Sequence, residues 1–344
     1  MDKRVILAVA GSGKTTNIIN QLNLDKRSLV VTYTHNNIRN LRDGILRKFN
    51  HFPDNITLLP FFTFLYSSCF RPFLSYGFRT KGINFEINPN RFVKQDDNRY
   101  FIDKNRRIYS NRISKLLELR GVFNDVNSRL SKYYDSLFID EIQDLAGHDF
   151  NFLKSISKAN IEMTFVGDFY QHTFDTSRDS MVNRSLHVNY NKYKDEFTKM
   201  GMDVDCETLK KSYRCNPAIC NFITENIGIQ ILSHKSNEAE IHIIEKPKEA
   251  TEILKNNNIV KLFYKEHYKY GCRSKNWGDC KGENSYSDVC VVLNKIVFNH
   301  FLSNQLNRLR PLTRNKLYVA CSRANNDLYL VSEEFFKNGS IQNY

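Results

Sequence analysis

The amino-acid sequence predicts an α/β fold built on parallel sheets, and the order of its apolar runs leads to that prediction. The run Val5–Val9 passes directly into a glycine-rich loop and then into a helical stretch. A second run, Ser28–Thr34, follows that helix, and two more, Ser136–Asp140 and Met163–Asp168, end in acidic residues. Short apolar runs that alternate with helical stretches are typical of parallel strands connected by helices. We therefore expect a parallel α/β sheet in which acidic residues stand at the carboxyl ends of two strands.

A change in composition within the first half of the chain indicates an insertion. Residues 1–65 and 136–205 show the alternation expected of a first α/β lobe, whereas residues 66–135 are aromatic, rich in asparagine and basic. We interpret 66–135 as a reduced insertion subdomain that contacts nucleic acid; a charged face that contacts only solvent is the alternative. Its basic residues include Arg91, Lys94, Arg99, Lys104, Arg106, Arg107, Arg112 and Lys115.

Residues 206–344 repeat the α/β pattern and predict a second lobe. A helix is expected after Asn216. The predicted strands are Ile241–Ile244, Val289–Leu293 and Leu328–Val331. The tyrosine-rich, basic segment Lys255–Lys281 is expected to be a surface excursion outside the core. In the first lobe, Ile56–Phe64 is expected to be the third strand.

Bulk composition favours a folded protein with a polyanionic partner. The chain has 344 residues, 41% of them hydrophobic, which is enough for two or three domains with cores of their own. Lysine and arginine exceed aspartate and glutamate by 50 to 37, which gives a formal net charge of +13. This excess favours nucleic acid, and a merely basic surface is the alternative. No apolar stretch approaches the roughly eighteen residues that cross a bilayer, so we expect a soluble, cytoplasmic protein without a membrane partner.

The cysteines do not predict disulfides. Eight cysteines are scattered along the chain without a CxxC pair, as expected of reduced thiols. His267 with Cys272 and Cys280 gives the one spacing that suggests a metal site, and it is wider than zinc ligands normally show.

The segment Ala8–Thr15 has the composition and the context of a phosphate-binding loop. It follows an expected strand and opens an expected helix. Its glycines allow backbone N–H groups to turn toward phosphates, and Lys14 supplies a positive charge to the β- and γ-oxygens. The Thr15 hydroxyl would bind Mg²⁺; a glycine turn before a helix is the alternative reading of the segment. The residues predicted to bind nucleotide here are Ala10, Gly11, Ser12, Gly13, Lys14, Thr15 and Thr16.

Acidic residues at the end of the run Leu137–Asp140 supply the second part of a nucleotide site. Asp140 is expected to bind Mg²⁺ through its water shell. Glu141 is placed to act as general base on the attacking water. Acids at the start of a helix would give the same sequence and would mean only capping. Together with Lys14, the two acids favour hydrolysis of ATP bound with Mg²⁺.

Ordered motifs along nearly the whole chain resemble those of superfamily 1 DNA helicases of the UvrD, Rep and PcrA kind. Residues Asp140 to Asp144 resemble the DExQD signature, and Val166–Gln171 resembles the GDxxQ motif. Further matches are Val31–Asn37, Phe62–Phe64, Lys211–Arg214, Cys280–Glu283 and Tyr318–Ala324. The resemblance implies two RecA-like P-loop lobes with parallel sheets and a small insertion in the first. It also implies a helicase or translocase that couples ATP hydrolysis to movement on single-stranded DNA, from 3′ to 5′.

The resemblance also assigns roles to individual residues. Gln171 would sense the γ-phosphate, and the Tyr213 ring would pack at the nucleotide. Arg214 and Arg323 would act as cationic fingers that neutralise charge on the transferred phosphoryl group. Gly282 would contact the nucleotide. The residues implied to contact DNA are Thr34, Thr63, Phe64 and Phe174.

Two departures from the family pattern leave a second function open. Thr176 stands where the family has a second base-stacking aromatic residue, and the stretch from Arg214 to Lys281 is too short for the large second insertion of Rep or UvrD. The chain would then be a minimal motor that acts on single-stranded DNA or on a duplex with a single-stranded tail. Alternatively, it would be a nucleotide-switched or partner-dependent ATPase subunit, for example beside a nuclease in an anti-phage defence complex. An unrelated P-loop enzyme, such as a small-molecule kinase, would lack the ordered motifs.

Overall fold

The strands of the computed structural model form parallel sheets connected by helices, which confirms the predicted α/β class. The structure describes residues 2–89, 92–174, 182–283 and 286–338. In these ranges no helix is long and apolar enough to cross a membrane.

The described chain divides into two compact units, and each unit is made of more than one stretch of the chain. Unit 1 contains the described residues up to Leu7, with Lys14–Gly167 and Phe174–Asp205. Unit 2 contains Ala8–Gly13, Asp168–Thr173 and the described residues from Cys206 onward.

Outside residues 66–135, the strands and helices of unit 1 alternate as the sequence predicts. Its strands are β1 (Lys3–Leu7), β2 (Ser28–Thr32), β3 (Ile56–Pro60), β4 (Gly82–Asn84), β5 (Arg107–Tyr109), β6 (Ser136–Asp140), β7 (Glu162–Gly167) and β8 (Asp203–Asp205). Its α-helices are α1 (Lys14–Gln21), α2 (His35–Phe49), α3 (Phe61–Phe64), α4 (Arg71–Phe78), α5 (Ile113–Leu119), α6 (Phe123–Tyr133), α7 (Gly147–Ile156) and α8 (Tyr190–Lys199). Within the described ranges, the larger sheet has six strands in the order β3-β2-β6-β7-β1-β8.

The central strands of this sheet are buried on both faces. All residues of β2 and β6 are buried, and α1 contacts both β6 and β7. Parallel strands covered by helices on both faces need near-continuous apolar sequence, which is why these runs were recognisable. The carboxyl ends of β1, β6 and β7 lie at one edge of the sheet, where ligands bind in open α/β folds.

Strands β1, β2 and β3 end two or more residues before the ends of their predicted runs. The predicted Val5–Val9 ends at Leu7, and Ser28–Thr34 ends at Thr32 because Thr34 is the N-cap of α2. The predicted Ile56–Phe64 ends at Pro60, after which the chain turns into α3.

The insertion does not present all of its basic residues to solvent, so the prediction that they contact nucleic acid needs correction for the buried ones. Strands β4 and β5 pair in parallel, and α5 and α6 contact α7 of the same unit. Lys115 is 4% exposed, and its Nζ donates to the Tyr100 hydroxyl at 2.7 Å. The Arg112 guanidinium lies 3.6 Å from the Tyr100 ring centroid. Arg91 lies outside the described residues.

Unit 2 repeats the architecture with its own parallel sheet. Its strands are β9 (Lys211–Ser212), β10 (Leu232–Ser233), β11 (Ile241–Ile244), β12 (Val260–Phe263), β13 (Ser274–Asn276), β14 (Val289–Leu293) and β15 (Leu328–Ser332). Its α-helices are α9 (Pro217–Phe222), α10 (Pro247–Lys255), α11 (Lys295–Leu302), α12 (Pro311–Cys321) and α13 (Glu334–Asn338). In the part of the chain that is described, its larger sheet has five strands in the order β11-β15-β14-β12-β13.

The prediction that Lys255–Lys281 lies outside the core is wrong. This segment contains β12, whose residues are all buried and which pairs with β14 and β13. It also contains Trp277, which is 0% exposed and donates its ring N–H to the Leu262 carbonyl at 2.8 Å. The segment therefore supplies part of the sheet and core of unit 2.

The cysteines are free thiols, and the metal-site alternative is not supported. Among the described residues, no group of three or more His, Cys, Asp or Glu side chains could hold a metal ion. Cys280 is buried, and its thiol donates to the Trp277 carbonyl at 3.0 Å. It acts as a core residue.

Candidate functional site

The acidic pair of unit 1 stands at the carboxyl end of β6. Asp140 is the last residue of the strand, and its carboxylate accepts a hydrogen bond from the Glu141 backbone N–H at 2.9 Å. Glu141 adopts a left-handed backbone conformation, with φ of +59°, before the short turn of Ile142–Asp144. Such a conformation costs a non-glycine residue on the order of 1–3 kcal/mol and is concentrated at functional sites. The strain supports a functional role for this turn.

Two amide side chains hold the Glu141 carboxylate, which is 6% exposed. The Asn37 amide donates to Oε1 at 3.4 Å, and the Gln143 amide donates to Oε2. Asn37 belongs to α2, and its backbone N–H donates to the Thr34 hydroxyl at 3.1 Å. Sequence reasoning missed Asn37, although it closes the motif Val31–Asn37.

The end of β7 approaches this turn so closely that only glycine fits there. A Cβ on Gly167 would lie 2.5 Å from the Gln143 side-chain oxygen and 2.6 Å from Ile142 Cγ1. This close approach explains the glycine of the GDxxQ-like motif. It fixes the turn that carries Glu141 against the neighbouring strand.

Lys14 and Thr15 occupy the N-terminus of α1, which follows β1 after the glycine loop. In the sheet, Leu7 pairs with Gly167 and Asp140 pairs with Val166. Since neighbouring strands lie about 4.8 Å apart, Leu7 and Asp140 are roughly 10 Å apart across β7.

The oxygen donors of this edge suit Mg²⁺. Mg²⁺ is usually held by one or two carboxylates together with substrate phosphates and water. The Thr15 hydroxyl and the Asp140 carboxylate provide such oxygens, and Asp140 is 3% exposed and ends its strand at this edge. The donor set therefore fits the predicted metal.

In unit 2 a buried tyrosine links the phosphate loop to the GDxxQ-like motif. The Tyr318 hydroxyl donates to Asp168 Oδ2 at 3.0 Å and accepts from the Ala10 backbone N–H at 2.7 Å. Tyr318 is 0% exposed, and burial followed by the Asp168 carboxylate raises its pKa well above the ordinary value. Ala10 was predicted to bind nucleotide, but its N–H is directed to Tyr318. Sequence reasoning missed Tyr318 because Ala10 and Tyr318 are far apart in the chain.

Gln171 and Arg323 lie together in the same network. The Gln171 amide donates to Asp168 Oδ2 at 2.7 Å, and its oxygen makes a long 3.5 Å contact with the Arg323 guanidinium. Arg323 is 2% exposed and also donates to the carbonyls of Val319 and Glu283, at 3.1 and 3.0 Å. Glu283 thus contacts Arg323 through its backbone carbonyl. It directly follows Gly282, which the sequence predicts to contact the nucleotide.

Arg214 lies beside the glycine loop and Arg323. Its guanidinium donates to the Ser322 carbonyl at 3.1 Å. Burial, followed by the neighbouring Arg323 guanidinium, lowers the pKa of Arg214 to about 9. The side chain stays protonated at neutral pH, so the two cations repel each other. A phosphate bound beside them would offset that repulsion.

The neighbouring Tyr213 remains accessible. Its side chain is 61% exposed, and its ring stacks on His234 at 3.9 Å between centroids. Its backbone N–H donates to the Gly11 carbonyl at 2.9 Å. The ring is therefore available to a ligand, while the backbone is attached to the loop.

The predicted nucleic-acid residues divide into surface and core positions. Thr63 is exposed, and Thr34 and Phe174 are half-buried. Phe64 is 0% exposed and packs edge-on against Phe152 at 5.9 Å, so the prediction that its ring contacts DNA needs correction. The half-buried ring in that motif is Phe62, which sequence reasoning did not single out.

Tyr33 joins these residues into one aromatic cluster. Its ring lies 5.7 Å from Phe62 and 5.5 Å from Phe174. Burial, followed by the carboxylates of Asp144 and Asp149, raises the pKa of Tyr33 to about 12. Its hydroxyl therefore stays protonated at neutral pH. Thr176, noted in the sequence as a departure from the family, lies outside the described residues.

Replacing Tyr318 with phenylalanine is expected to destabilise unit 2 by about 1–3 kcal/mol. The change removes the hydroxyl acceptor of the Ala10 N–H, in a position that is 0% exposed. Fluorescence of Trp277, the one tryptophan in the sequence, reports unfolding in denaturant. Tyr268→Phe, at a side chain of the same unit that is 71% exposed, is the control and should leave stability within about 0.5 kcal/mol. Equal stability of Tyr318→Phe and the wild type would contradict the assigned network.

Gly11→Ala is expected to weaken nucleotide binding. A Cβ there would lie 2.7 Å from both Arg214 Cβ and Ser212 Oγ, and the backbone φ is +71°. Titration with a fluorescent ATP analogue measures the loss. Gly77→Ala is the matched control because its Cβ would meet no atom within 4 Å. Unchanged affinity in Gly11→Ala would show that the loop does not need this conformation.

Most of these motifs lie in a region that matches a known protein family. The family model of the viral superfamily 1 RNA helicase core domain matches residues 91–332. The chain belongs to this family. The matched part of the helicase core includes Asp140, Glu141, Gln171, Arg214 and Arg323. No curated protein matches the chain in sequence.

Solved helicase structures resemble the fold of this helicase core. Arterivirus nonstructural protein 10 (helicase), in complex with DNA, is similar with a TM-score of 0.51 and 13% identity, over 96% of this chain and 61% of that chain. The crystal structure of the same arterivirus helicase gives 0.49 and 13%, over 95% and 59%. The PRRSV helicase gives 0.48 and 14%, over 96% and 52%. The chain thus spans between 52% and 61% of the length of these helicases.

Proposed function

We propose that the chain hydrolyses ATP and couples hydrolysis to movement along single-stranded nucleic acid. The observation that carries the proposal is the Glu141 carboxylate, which lies beside Asp140 and is held by Asn37 and Gln143. A carboxylate oriented by amide donors at the end of a parallel strand is suited to accept a proton from water. Membership of a superfamily 1 helicase core family supports the same chemistry.

Each predicted residue has a role in this proposal. Glu141 accepts the proton of the attacking water, while Lys14 and the loop amides bind the phosphates. Gln171 senses the γ-phosphate, and Arg214 and Arg323 neutralise the charge that develops on the transferred group. Tyr213 and Gly282 contact the nucleotide. Mg²⁺, held by Thr15 and Asp140 when bound, would supply charge neutralisation on the phosphate oxygens.

The contacts of Asn37 support coupling between nucleic acid and hydrolysis. Thr34 is a proposed nucleic-acid contact, and it caps the helix turn that contains Asn37. Asn37 in turn donates to Glu141. A strand that displaces Thr34 would therefore shift the donor that orients the catalytic base.

The proposal also specifies the nucleic acid, the direction of movement and the boundaries of the domains. We propose a UvrD-like, 3′ to 5′ motor on single-stranded DNA, with RNA as the alternative because the matching family model is that of RNA helicase cores. Thr34, Thr63 and Phe174 contact the strand. The proposed lobes are 1–65 with 136–205 and 206–344, and 66–135 is the insertion.

The alternative is a nucleotide-switched or partner-dependent ATPase without unwinding activity of its own. The suggested partner, a nuclease of an anti-phage defence complex, gains no support from the family match. It stays an untested prediction.

Strand separation tests the proposal. Duplexes of DNA and of RNA with a 3′ tail, a 5′ tail or blunt ends are incubated with the chain, ATP and Mg²⁺. Release of the 3′-tailed DNA strand alone would support the motor and its polarity. Release from 5′ tails would contradict the polarity, and ATP hydrolysis without release would favour the translocase or partner-dependent alternative. Absence of nucleic-acid-stimulated hydrolysis would contradict the motor itself.

A further inference from the structure

Four aromatic rings from separate segments lie in a row on unit 1. Tyr33 contacts Phe174 on one side and Phe62 on the other. Phe62 in turn contacts Phe85, with 5.7 Å between ring centroids and an interplanar angle of 75°. Phe85 comes from the insertion, directly after β4, and not from any helicase motif. The row therefore extends the motif aromatics onto the insertion.

Phe85 ends the row with an open ring held on a fixed backbone. Its side chain is 69% exposed. The preceding residue, Asn84, is 5% exposed and accepts a hydrogen bond from the Glu86 N–H at 2.9 Å. The Asn84 amide also donates to Asp103 at 2.9 Å. A ring presented by an ordered turn loses little conformational freedom when a ligand stacks on it.

Exposed cations flank the start of β4, the strand that leads to Phe85. Arg79, Lys81 and Arg106 are exposed, and the Lys81 N–H donates to the Arg106 carbonyl at 2.8 Å. The nearby acid Asp103 forms an ion pair with Arg107. Glu86 is the exposed acid beside Phe85. The exposed cations therefore lie at the start of β4 and the exposed ring at its end, roughly 13 Å further along the strand.

We propose that Phe85 stacks on a base of bound single-stranded nucleic acid and extends the binding track from the helicase motifs onto the insertion. The inference rests on the proposed function. A row of rings that continues from the motif residues to an exposed ring suits the bases of a single strand, and the cations at the other end of β4 suit its phosphates. A protein partner that uses the same apolar surface is an outcome that the experiment below separates.

Binding of two oligonucleotides of equal length tests the proposal, one with bases and one with abasic sites. Phe85→Ala should weaken binding of the base-containing strand by about 5- to 150-fold, the range expected for one lost stack. Binding of the abasic strand should be unchanged, because the cations are intact. Phe85→Leu, which keeps an apolar side chain without a π-face, should show the same pattern. Tyr268→Ala removes another ring, 71% exposed and outside the insertion, and should leave both affinities at the wild-type value.

Each contrary outcome has a distinct meaning. Equal losses on both strands, or no loss on either, would overturn the stacking role of Phe85 and leave the helicase proposal intact; no loss on either would point to a protein ligand for the ring. A wild-type chain that binds neither strand would overturn the proposed function together with this inference. Far-ultraviolet circular dichroism in denaturant, which reports on the helices of both units, verifies that each variant is folded.

Discussion

Glu141→Gln is expected to reduce ATP turnover by about 10²- to 10⁴-fold and to leave ATP and nucleic-acid binding intact. Glutamine keeps the size of the side chain and an oxygen that can accept from Asn37, but it cannot take a proton from water at neutral pH. The phosphate loop and the Asp140 carboxylate are unaltered. Steady-state hydrolysis measures turnover, and titration with a fluorescent ATP analogue measures binding.

The matched control for this variant is Glu252→Gln, at an exposed position of α10. It removes the same charge and should leave turnover unchanged. Loss of ATP binding in Glu141→Gln would indicate a structural role for the carboxylate and contradict its assignment as the base. Full activity would assign the base to another residue.

Arg323→Lys is expected to reduce turnover by about 10³-fold while ATP binding is largely retained. Lysine keeps the positive charge but lacks the planar donors with which Arg323 contacts Val319, Glu283 and Gln171. Arginine fingers contribute on the order of 10³- to 10⁵-fold to phosphoryl transfer. Single-turnover hydrolysis with saturating ATP isolates the chemical step from binding.

Arg308→Lys, at an exposed position, is the matched control and should behave as the wild type. Unfolding followed by Trp277 fluorescence identifies any loss of stability in Arg323→Lys. Wild-type hydrolysis by a folded Arg323→Lys variant would contradict the finger role and leave Arg323 as a core residue.

Two of the strands that were predicted with the observed ends are buried along their whole length. Ser136–Asp140 and Val289–Leu293 form β6 and β14 with the predicted ends. In β14, Val289, Val291 and Leu293 enter one core cluster, while Cys290 and Val292 enter the other. A strand that is buried on both faces has a continuous apolar sequence, and few other structures would account for such a sequence.

The prediction failed at β12 because a lysine interrupts its apolar residues. Lys261 is 0% exposed, and its ammonium donates to the carbonyls of Asn256 and Ile259 at 2.6 and 3.0 Å. Burial lowers the pKa of this lysine. Nothing in the local sequence shows that backbone carbonyls will satisfy the charge, so Val260–Phe263 resembled a surface segment.

The site residues that were missed depend on contacts between distant parts of the chain. The carboxylate of Asp140 could be placed from its position at the end of an apolar run. Tyr318 entered the sequence analysis only as the first residue of the motif Tyr318–Ala324, and its bonds to Ala10 and Asp168 follow only from the folded arrangement. Phe62, and not Phe64, is the more exposed ring of its motif, and this also depends on where β3 ends and α3 begins.

The most direct test of the central claim is the steady-state ATPase rate with and without a single-stranded oligonucleotide, at low and at high salt. We predict a large stimulation that falls as salt is raised, since phosphate contacts by lysine and arginine are weakened by salt. A rate that does not respond to the oligonucleotide at either salt concentration would contradict a motor driven by ATP on nucleic acid.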